Sequence, residues 1–302
     1  MVHLALVCLL HEMDMRYRTT RVSSAPTYDK IFEIVCHNIC TLQDILSFCN
    51  NNKITSYRVP CDLIPLWSHP DYQDMCDQVF ENTREMWSNI NTYGIHLSCH
   101  PDQFILLNSL KQDVNDRAVI TLNTWAKLCE VLPINLINIH IGGYQSSLEH
   151  HMSIIANNLP KLHDSVRQRL SFENDEKNYN AEDVLYICQQ LDVMMVPDFH
   201  HERCWHKRNS EVATSIFIEQ HMEDIFATYK NRSTIPTFHI SSPKDGWNKS
   251  FKENCSHADY IDSKDFPEYL LDINETVILD VEAKHKQRAI FVLQADFYRG
   301  GL

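Results

Sequence analysis

Only six glycines occur in the 302 residues. None falls in a GxGxxG or GxxxxGK[ST] pattern, the spacings that let backbone approach a dinucleotide or nucleotide phosphate, so no nucleotide cofactor is expected. So few glycines also leave little material for a flexible hinge, and no linker, low-complexity segment or short repeat interrupts the chain. The eleven cysteines are scattered singly, with no CxxC pair. An odd count without framework spacing argues against a disulfide scaffold and suits reduced thiols in a cytosolic or nuclear compartment. The apolar stretch Leu4–Leu10 is too short to span a bilayer. It has no Lys or Arg before it and reads as a buried strand, so neither secretion nor a membrane partner is expected. Basic residues are also scarce, 27 against 40 acidic ones, for a net charge of -13. A protein that coats nucleic acid needs more Lys and Arg. A metal enzyme escapes that objection, because bound cations offset carboxylates and a groove can be locally basic.

What remains is an ordinary globular composition, 44% hydrophobic and 22% charged, with seventeen histidines as its unusual feature. Short β-branched or apolar runs alternate with longer stretches at helical spacing. The runs predict strands at His3–Cys8, Ile54–Val59, Ile95–Cys99, Leu136–Ile139, Leu170–Phe172, Val193–Val196, Thr237–Ile240 and Val277–Val281. The intervening spacing predicts helices at Tyr28–Cys49, Tyr72–Asn91, Val114–Val131, Ser146–His163, Ala181–Gln190, Glu211–Tyr229, Ser263–Asp272 and Lys284–Leu293. Such alternation implies parallel βαβ units, and about eight of them imply a (β/α)8 TIM-type barrel of one domain over residues 1–302, with its site at the carboxyl ends of the strands. An open doubly wound sheet is the competing architecture.

The predicted strand ends carry the chemistry. Strand two runs into a loop ending at His69. Strand three is followed by His100, and strand four by His140 and then Gly142-Gly143. Strand five leads into Glu173-Asn174-Asp175, strand six into Asp198 with His200 and His201, strand seven holds His239, and strand eight carries Asp280 and Glu282. One histidine at a strand end is usually a hydrogen-bonded structural residue. Seven successive ends with a His, Asp or Glu are not, because apolar strands are a costly place for so many polar groups unless something binds them. Mixed imidazole and carboxylate donors suit Zn²⁺, Mn²⁺ or Fe²⁺, and the donors outnumber what one ion needs. Two or three ions are therefore expected, a number suited to phosphodiester hydrolysis. Other groupings read as structural: His201 to His206 lacks a second Cys/His pair for zinc, His150-His151 reads as solvated helix surface, and Cys36, His37 and Cys40 read as helix packing.

Several of these segments resemble the UV damage endonuclease family. They are Trp67-Ser68-His69-Pro70, Cys99-His100-Pro101-Asp102-Gln103-Phe104, Ile139-His140-Ile141-Gly142-Gly143, Phe172-Glu173-Asn174-Asp175 and Asp198-Phe199-His200-His201. Further along come His239-Ile240-Ser241-Ser242-Pro243-Lys244, Ser256-His257-Ala258-Asp259-Tyr260 and Val281-Glu282-Ala283-Lys284. They stand in family order from about residue 1 to 295. The resemblance implies a barrel related to endonuclease IV and xylose isomerase, with up to three divalent ions, often manganese. It also implies incision of damaged double-stranded DNA immediately 5′ to a lesion, both main classes of UV photoproduct included. It carries the metal ligands over to His69, His100, His140, Glu173, Asp198, His201, His239, His257 and Glu282. Among them, Glu173, His100, His140 and Glu282 are expected to be catalytic. It makes Gln103 and Phe104 the probe of damaged bases, a role their chemistry suits, since Gln can bond a displaced base edge and Phe can stack in its place. Core packing is the other reading of Phe104. Arg58, Lys244 and Lys284 are candidate phosphate contacts, and for Arg58 a salt bridge to nearby carboxylates competes.

The chain departs from the family at two positions. Thr237 stands where some members carry a Lys that becomes carboxylated, and Leu6 stands where some carry an aromatic probe. An apurinic-site endonuclease, a barrel sugar isomerase and a non-catalytic damage sensor are the alternative functions.

Overall fold

The computed structural model describes residues 1–210 and 212–299, with side chains through residue 296. Eight parallel strands form the sheet: β1 (Val2–Val7), β2 (Ser56–Val59), β3 (His96–Cys99), β4 (Ile134–His140), β5 (Leu170–Glu173), β6 (Met194–Val196), β7 (Thr237–Ile240) and β8 (Val277–Val281). Their order is β6-β5-β4-β3-β2-β1-β8-β7. The expected (β/α)8 TIM-type barrel is the observed fold. Every strand position from Ser56 to Val59, from Leu170 to Glu173 and from Val277 to Val281 is buried, as expected for parallel strands covered on both faces.

The ring closes between β6 and β7 without a regular ladder. At the carboxyl end, Asp198 and His239 form an isolated parallel bridge, in which the His239 N–H donates to the Pro197 carbonyl at 2.9 Å. Lower down, the buried Tyr229 spans the seam. Its hydroxyl donates to the Met195 carbonyl at 2.8 Å and accepts from the Thr237 N–H at 3.2 Å. A side chain thus satisfies backbone groups that a ladder would otherwise pair. Closure is tightest at the mouth, and it brings Asp198 beside His239.

The helices are α1 (Tyr28–Asn51), α2 (Gln73–Ser88), α3 (Gln112–Cys129), α4 (Leu148–Asn158), α5 (Asp164–Arg167), α6 (Ala181–Leu191), α7 (Phe199–Ser210), α8 (Ile216–Gln220), α9 (Met222–Ala227), α10 (Phe251–Asn254) and α11 (Gln287–Arg299). Among the described residues, α1 alone is long and apolar enough to cross a membrane by length and composition. Here Thr27 caps its amino end, and Ile31, Val35, Leu42 and Ile45, spaced on one face, are fully buried in the core.

Three helical expectations are corrected. The predicted Ser263–Asp272 helix is two 3-10 turns, Ser263–Asp265 and Glu268–Leu271, parted by Pro267. The predicted Glu211–Tyr229 helix is the short pair α8 and α9, and Glu211 lies outside the described residues. The predicted Lys284–Leu293 helix begins only at Gln287. Helix α7 was not expected, since its buried face is Phe199, His200, Glu202, Arg203 and Cys204, a mostly polar set with no apolar stripe.

Candidate metal centre

The strand ends converge as expected, and they form three overlapping sets of ligands: His100, His140 and Glu173; Glu173, Asp198 and His201; and Asp198, His239 and Glu282. Within each set the donor atoms lie no more than 4.8 Å apart. Glu173, at the tip of β5, belongs to two sets. Its Oε2 lies 3.0 Å from His100 Nε2 and accepts from Asn138 Nδ2 at 2.5 Å. Its Oε1 lies 3.1 Å from His239 Nδ1 and 3.4 Å from His201 Nδ1. Asp198 is held from behind, where Asn174 donates to its carbonyl at 3.0 Å and accepts its N–H at 2.7 Å.

The imidazoles are oriented by backbone. His100 donates Nδ1–H to the Pro101 carbonyl at 3.1 Å, His201 to Asn174 at 3.0 Å and His257 to Glu282 at 2.8 Å. A carbonyl can only accept, so each ring keeps Nε2 as its lone-pair nitrogen when neutral. A backbone carbonyl on the far nitrogen is the usual support of a metal-bound imidazole.

The electrostatics are those of a site built around cations. Glu173, Asp198, Asp280 and Glu282 crowd together, and the guanidinium facing them is that of Arg58, 2.5 Å from Glu282 and 3.4 Å from Asp280. Burial, reinforced by the Glu173 and Glu282 carboxylates, raises the pKa of Asp198. Burial would also raise those of Glu173 and Glu282, but His239, His140 and His100 hold the first well below the carboxylate range, and Arg58, His239 and His257 hold down the second. Burial opposes the charged ring of His239, yet Glu173, Glu282 and Asp280 outweigh it and raise its pKa to about 9. His140 is pushed down to about 4 by burial. The buried atoms His140 Nδ1, His239 Nδ1 and Asp198 Oδ2 have no hydrogen-bond partner. Unpaired buried donors and acceptors are costly, and all three residues belong to the ligand sets. The residues present therefore fit divalent cations.

The other expected site residues fall around this cluster. His69 lies outside the three sets, with Nδ1 accepting the Asp71 N–H at 3.3 Å and its ring 5.6 Å from that of Tyr72. His257 stands beside the third set, 3.7 Å from Glu282 Oε2. Gln103 and Phe104 line a cleft with His140, His201 and His257. Phe104 is 73% exposed, which removes the core-packing reading. Arg58 is 8% exposed and takes the salt-bridge arrangement. Lys244 and Lys284 are both exposed. Thr237 and Leu6 are buried, and neither lines the clefts beside the ligand sets. His206 pairs with Glu202 at 3.1 Å instead of joining a zinc set. Cys40 is exposed, not packed, and all eleven cysteines are free.

His151 corrects another expectation. It is fully buried, and it clamps the mouth: Nδ1–H donates to the Asn108 carbonyl at 3.1 Å, while Nε2 accepts the N–H groups of Gln145 and Ser146, both at 3.0 Å. Gly142 sits in the same packing at φ +120°, where a Cβ would meet Asn108 Oδ1 at 2.5 Å, so the loop after β4 requires glycine there.

Asp280, noted at the end of strand eight but not taken as a site residue, has its Oδ2 3.4 Å from His239 Nε2, and sequence reading missed Glu176, 3.8 Å from His201 Nε2. Strand alternation offered a signal for the first: Asp280 is two residues before Glu282 and shares its side of β8. Asn138 stands in the same relation to His140. Nothing local marks Glu176.

A sequence model of the family described as UV-endonuclease UvdE matches residues 4–299. Among curated proteins, the chain is 28% identical over 289 residues to a UV DNA damage endonuclease of Bacillus thuringiensis subsp. konkukian (strain 97-27), covering 93% of this chain and 87% of the relative. It is 29% identical over 289 residues to the protein of that name from Bacillus cereus (strain Q1), with the same coverage. Among solved structures, it resembles SacUVDE with a TM-score of 0.79 at 22% identity, covering 98% of this chain and 99% of the other. It resembles endonuclease IV from Thermus thermophilus with a TM-score of 0.56 at 12% identity and the same coverage. At these identities the two structures support the fold.

Proposed function

Since the chain belongs to the UV-endonuclease UvdE family, we propose that it is a DNA repair endonuclease that depends on divalent metal and cuts the phosphodiester bond immediately 5′ to UV photoproducts in double-stranded DNA. The observation that carries this reading is the continuous run of ligand sets through Glu173 and Asp198, with the exposed Phe104 lining the cleft beside it. The run offers donors for two or three ions; mixed nitrogen and oxygen donors suit Mn²⁺, Zn²⁺ or Fe²⁺, and the family resemblance makes manganese the expected occupant. Such ions would supply a hydroxide nucleophile at neutral pH and neutralise charge on the phosphoryl oxygens.

The chain's own groups have separate tasks. Asn138 and the flanking imidazoles hold Glu173 as a carboxylate. His100, His140, Asp198, His201, His239, His257 and Glu282 complete the donor set, and His69 joins it if its loop turns inward on loading. Arg58 holds the Glu282 carboxylate at the edge of the cluster. Gln103 and Phe104 test how firmly the bases are stacked, because damage lowers the unstacking free energy and that difference can be read as selectivity.

The test is incubation of manganese-loaded protein with UV-irradiated plasmid, unirradiated plasmid and a duplex with one abasic site, with cuts mapped on a duplex carrying one cyclobutane dimer. Nicking of the irradiated plasmid, with the cut directly 5′ to the dimer, is the expected result. Nicking confined to the abasic duplex would assign an apurinic-site endonuclease instead. Selective binding without any cut would assign a damage sensor.

A further inference from the structure

Lys286 is the cation whose surroundings the proposed chemistry has not used. It lines a cleft with Arg58, Lys284, His257 and Glu282, on the β8 and β1 side of the mouth. Its backbone is in the left-handed region, φ +47°, which long side chains avoid. The turn is pinned on both sides, by the Lys286 N–H to the Ala283 carbonyl at 3.2 Å and the Lys284 N–H to the Ala258 carbonyl at 2.9 Å. The side chain is half-buried, and among the described residues no carboxylate comes within ion-pairing distance of its ammonium. Glu282, the acid in the same cleft, is engaged by Arg58 at 2.5 Å. Burial lowers the pKa of Lys286, the Arg58 charge acts in the same direction, and Cys8 and the Glu282 carboxylate oppose them only in part. A partly desolvated ammonium without an acid partner, held by an unfavourable backbone turn at the edge of an active-site mouth, is suited to an anion.

We propose that Lys286, with Lys284 beside it, binds a backbone phosphate of the incised strand on the 5′ side of the cut. This rests on the endonuclease reading and adds a direction to it. The mouth has an order. The cleft of Gln103 and Phe104 lies against His140 and His201, the ligand sets run from His100 and His140 through Glu173 to His239 and Glu282, and the lysine cleft lies against Glu282. His257 lines both clefts. With damaged bases at Phe104 and the phosphate directly 5′ of them over the ligands, the strand continues 5′ past Glu282 into the lysine cleft. The far cleft holds one lysine, Lys177, already paired with Glu176 at 2.8 Å. Arg58 is occupied by Glu282 and Asp280, which leaves Lys284 and Lys286 to meet the upstream phosphate.

The experiment compares two duplexes, each with one cyclobutane dimer. One has a full incised strand, and in the other that strand is shortened to end one nucleotide upstream of the cut. Binding is measured in calcium across a salt series, and incision in manganese. The variants are Lys286→Asn, which tolerates the left-handed backbone, Lys286→Gln and Lys286→Arg. On the full duplex, Lys286→Asn and Lys286→Gln should bind roughly threefold more weakly, with a log–log salt slope smaller by about 0.9. Lys286→Arg should restore both. On the shortened duplex the wild-type protein should fall to the level of the variants or below it, since the contact of Lys284 is lost as well, and the substitutions should have no further effect. A defect of equal size on both duplexes, or none on the full one, overturns the proposal. Wild-type protein that binds these duplexes but never cuts them rejects the endonuclease reading, while the binding comparison still decides the role of Lys286.

Discussion

His239 Nδ1 lies 3.1 Å from Glu173 Oε1, although β6 stands between their strands in the barrel wall. The nitrogen has no well-directed hydrogen bond to that oxygen or to any other atom. Each belongs to a ligand set that includes Asp198, Glu173 together with His201 and His239 together with Glu282. The barrel makes this possible by closing at Asp198 and His239, so donors from β5, β6, β7 and β8 share one small volume.

Glu173, like Asp198, is shared by two ligand sets, so its charge should matter more to the reaction than to DNA binding. Glu173→Gln keeps the shape and removes the charge. It should reduce bound metal and lower the incision rate by at least about 100-fold, as expected for an electrostatic group acting on the transition state. Affinity for damaged duplex should change little, because it rests on phosphate contacts. Elemental analysis with single-turnover incision and equilibrium binding checks this. Equal losses of affinity and rate would mean that Glu173 organises the fold or the DNA.

The exposure of Phe104 separates recognition from stability. The double variant Gln103→Ala, Phe104→Ala should unfold at the same temperature as the wild type, since a side chain that is 73% exposed contributes little burial. It should retain its metal and lose its preference for a duplex with a single cyclobutane dimer over the matched undamaged duplex. An unchanged preference would place the probe elsewhere.

Arg58 gives the opposite expectation. Its guanidinium is buried against Glu282 and Asp280. Arg58→Met leaves those carboxylates without their cation and should destabilise the protein by about 3–5 kcal/mol. Manganese should recover part of the loss, because a bound ion stabilises the folded state and offsets the same charge. Chemical denaturation with and without manganese measures both effects. Unchanged stability with a reduced salt slope for DNA binding would instead make Arg58 a phosphate contact.

A pH effect should originate at the other end of the barrel. His96 begins β3, bonded through Nε2 to Thr234 Oγ1 at 2.8 Å, and burial, followed by the nearby His3, lowers its pKa to about 4. The unfolded ring takes up its proton near pH 6.5, so the unfolded state gains protons first as the pH falls. The contribution is absent above pH 6.5 and destabilises progressively between 6.5 and 4. Between pH 7.5 and 5.0 it should remove about 2 kcal/mol from the wild type that His96→Gln does not lose. Parallel denaturant titrations of the two proteins at both pH values measure the difference. Equal pH dependence would mean that His96 stays solvated.

How much of the site could be read from sequence follows from how local each feature is. Placing His100, His140, Glu173 and Glu282 required only the end of an apolar run, and all four reach the ligand sets. His151 could not be read that way. Its helix exposes His150 and buries His151, and the difference depends on Asn108 and the loop at Gln145, which pack from elsewhere in the barrel. Helix α7 was hidden for a related reason, since the groups it buries are polar and find their partners only after folding.

The sequence by itself determined the alternation of strands and helices, and with it the barrel and the end of it that carries the histidines and carboxylates. These are properties of chain periodicity, and they survive without knowledge of what lies across the fold. Only the tertiary structure decided which of those groups meet. The pairing of Arg58 with Asp280 and Glu282, the orientation of His201 by Asn174 and the presence of Glu176 beside it all depend on barrel closure and strand register. Register acts between residues far apart in the chain, and a shift of one residue in any strand would turn its polar side chains from the interior to the opposite face.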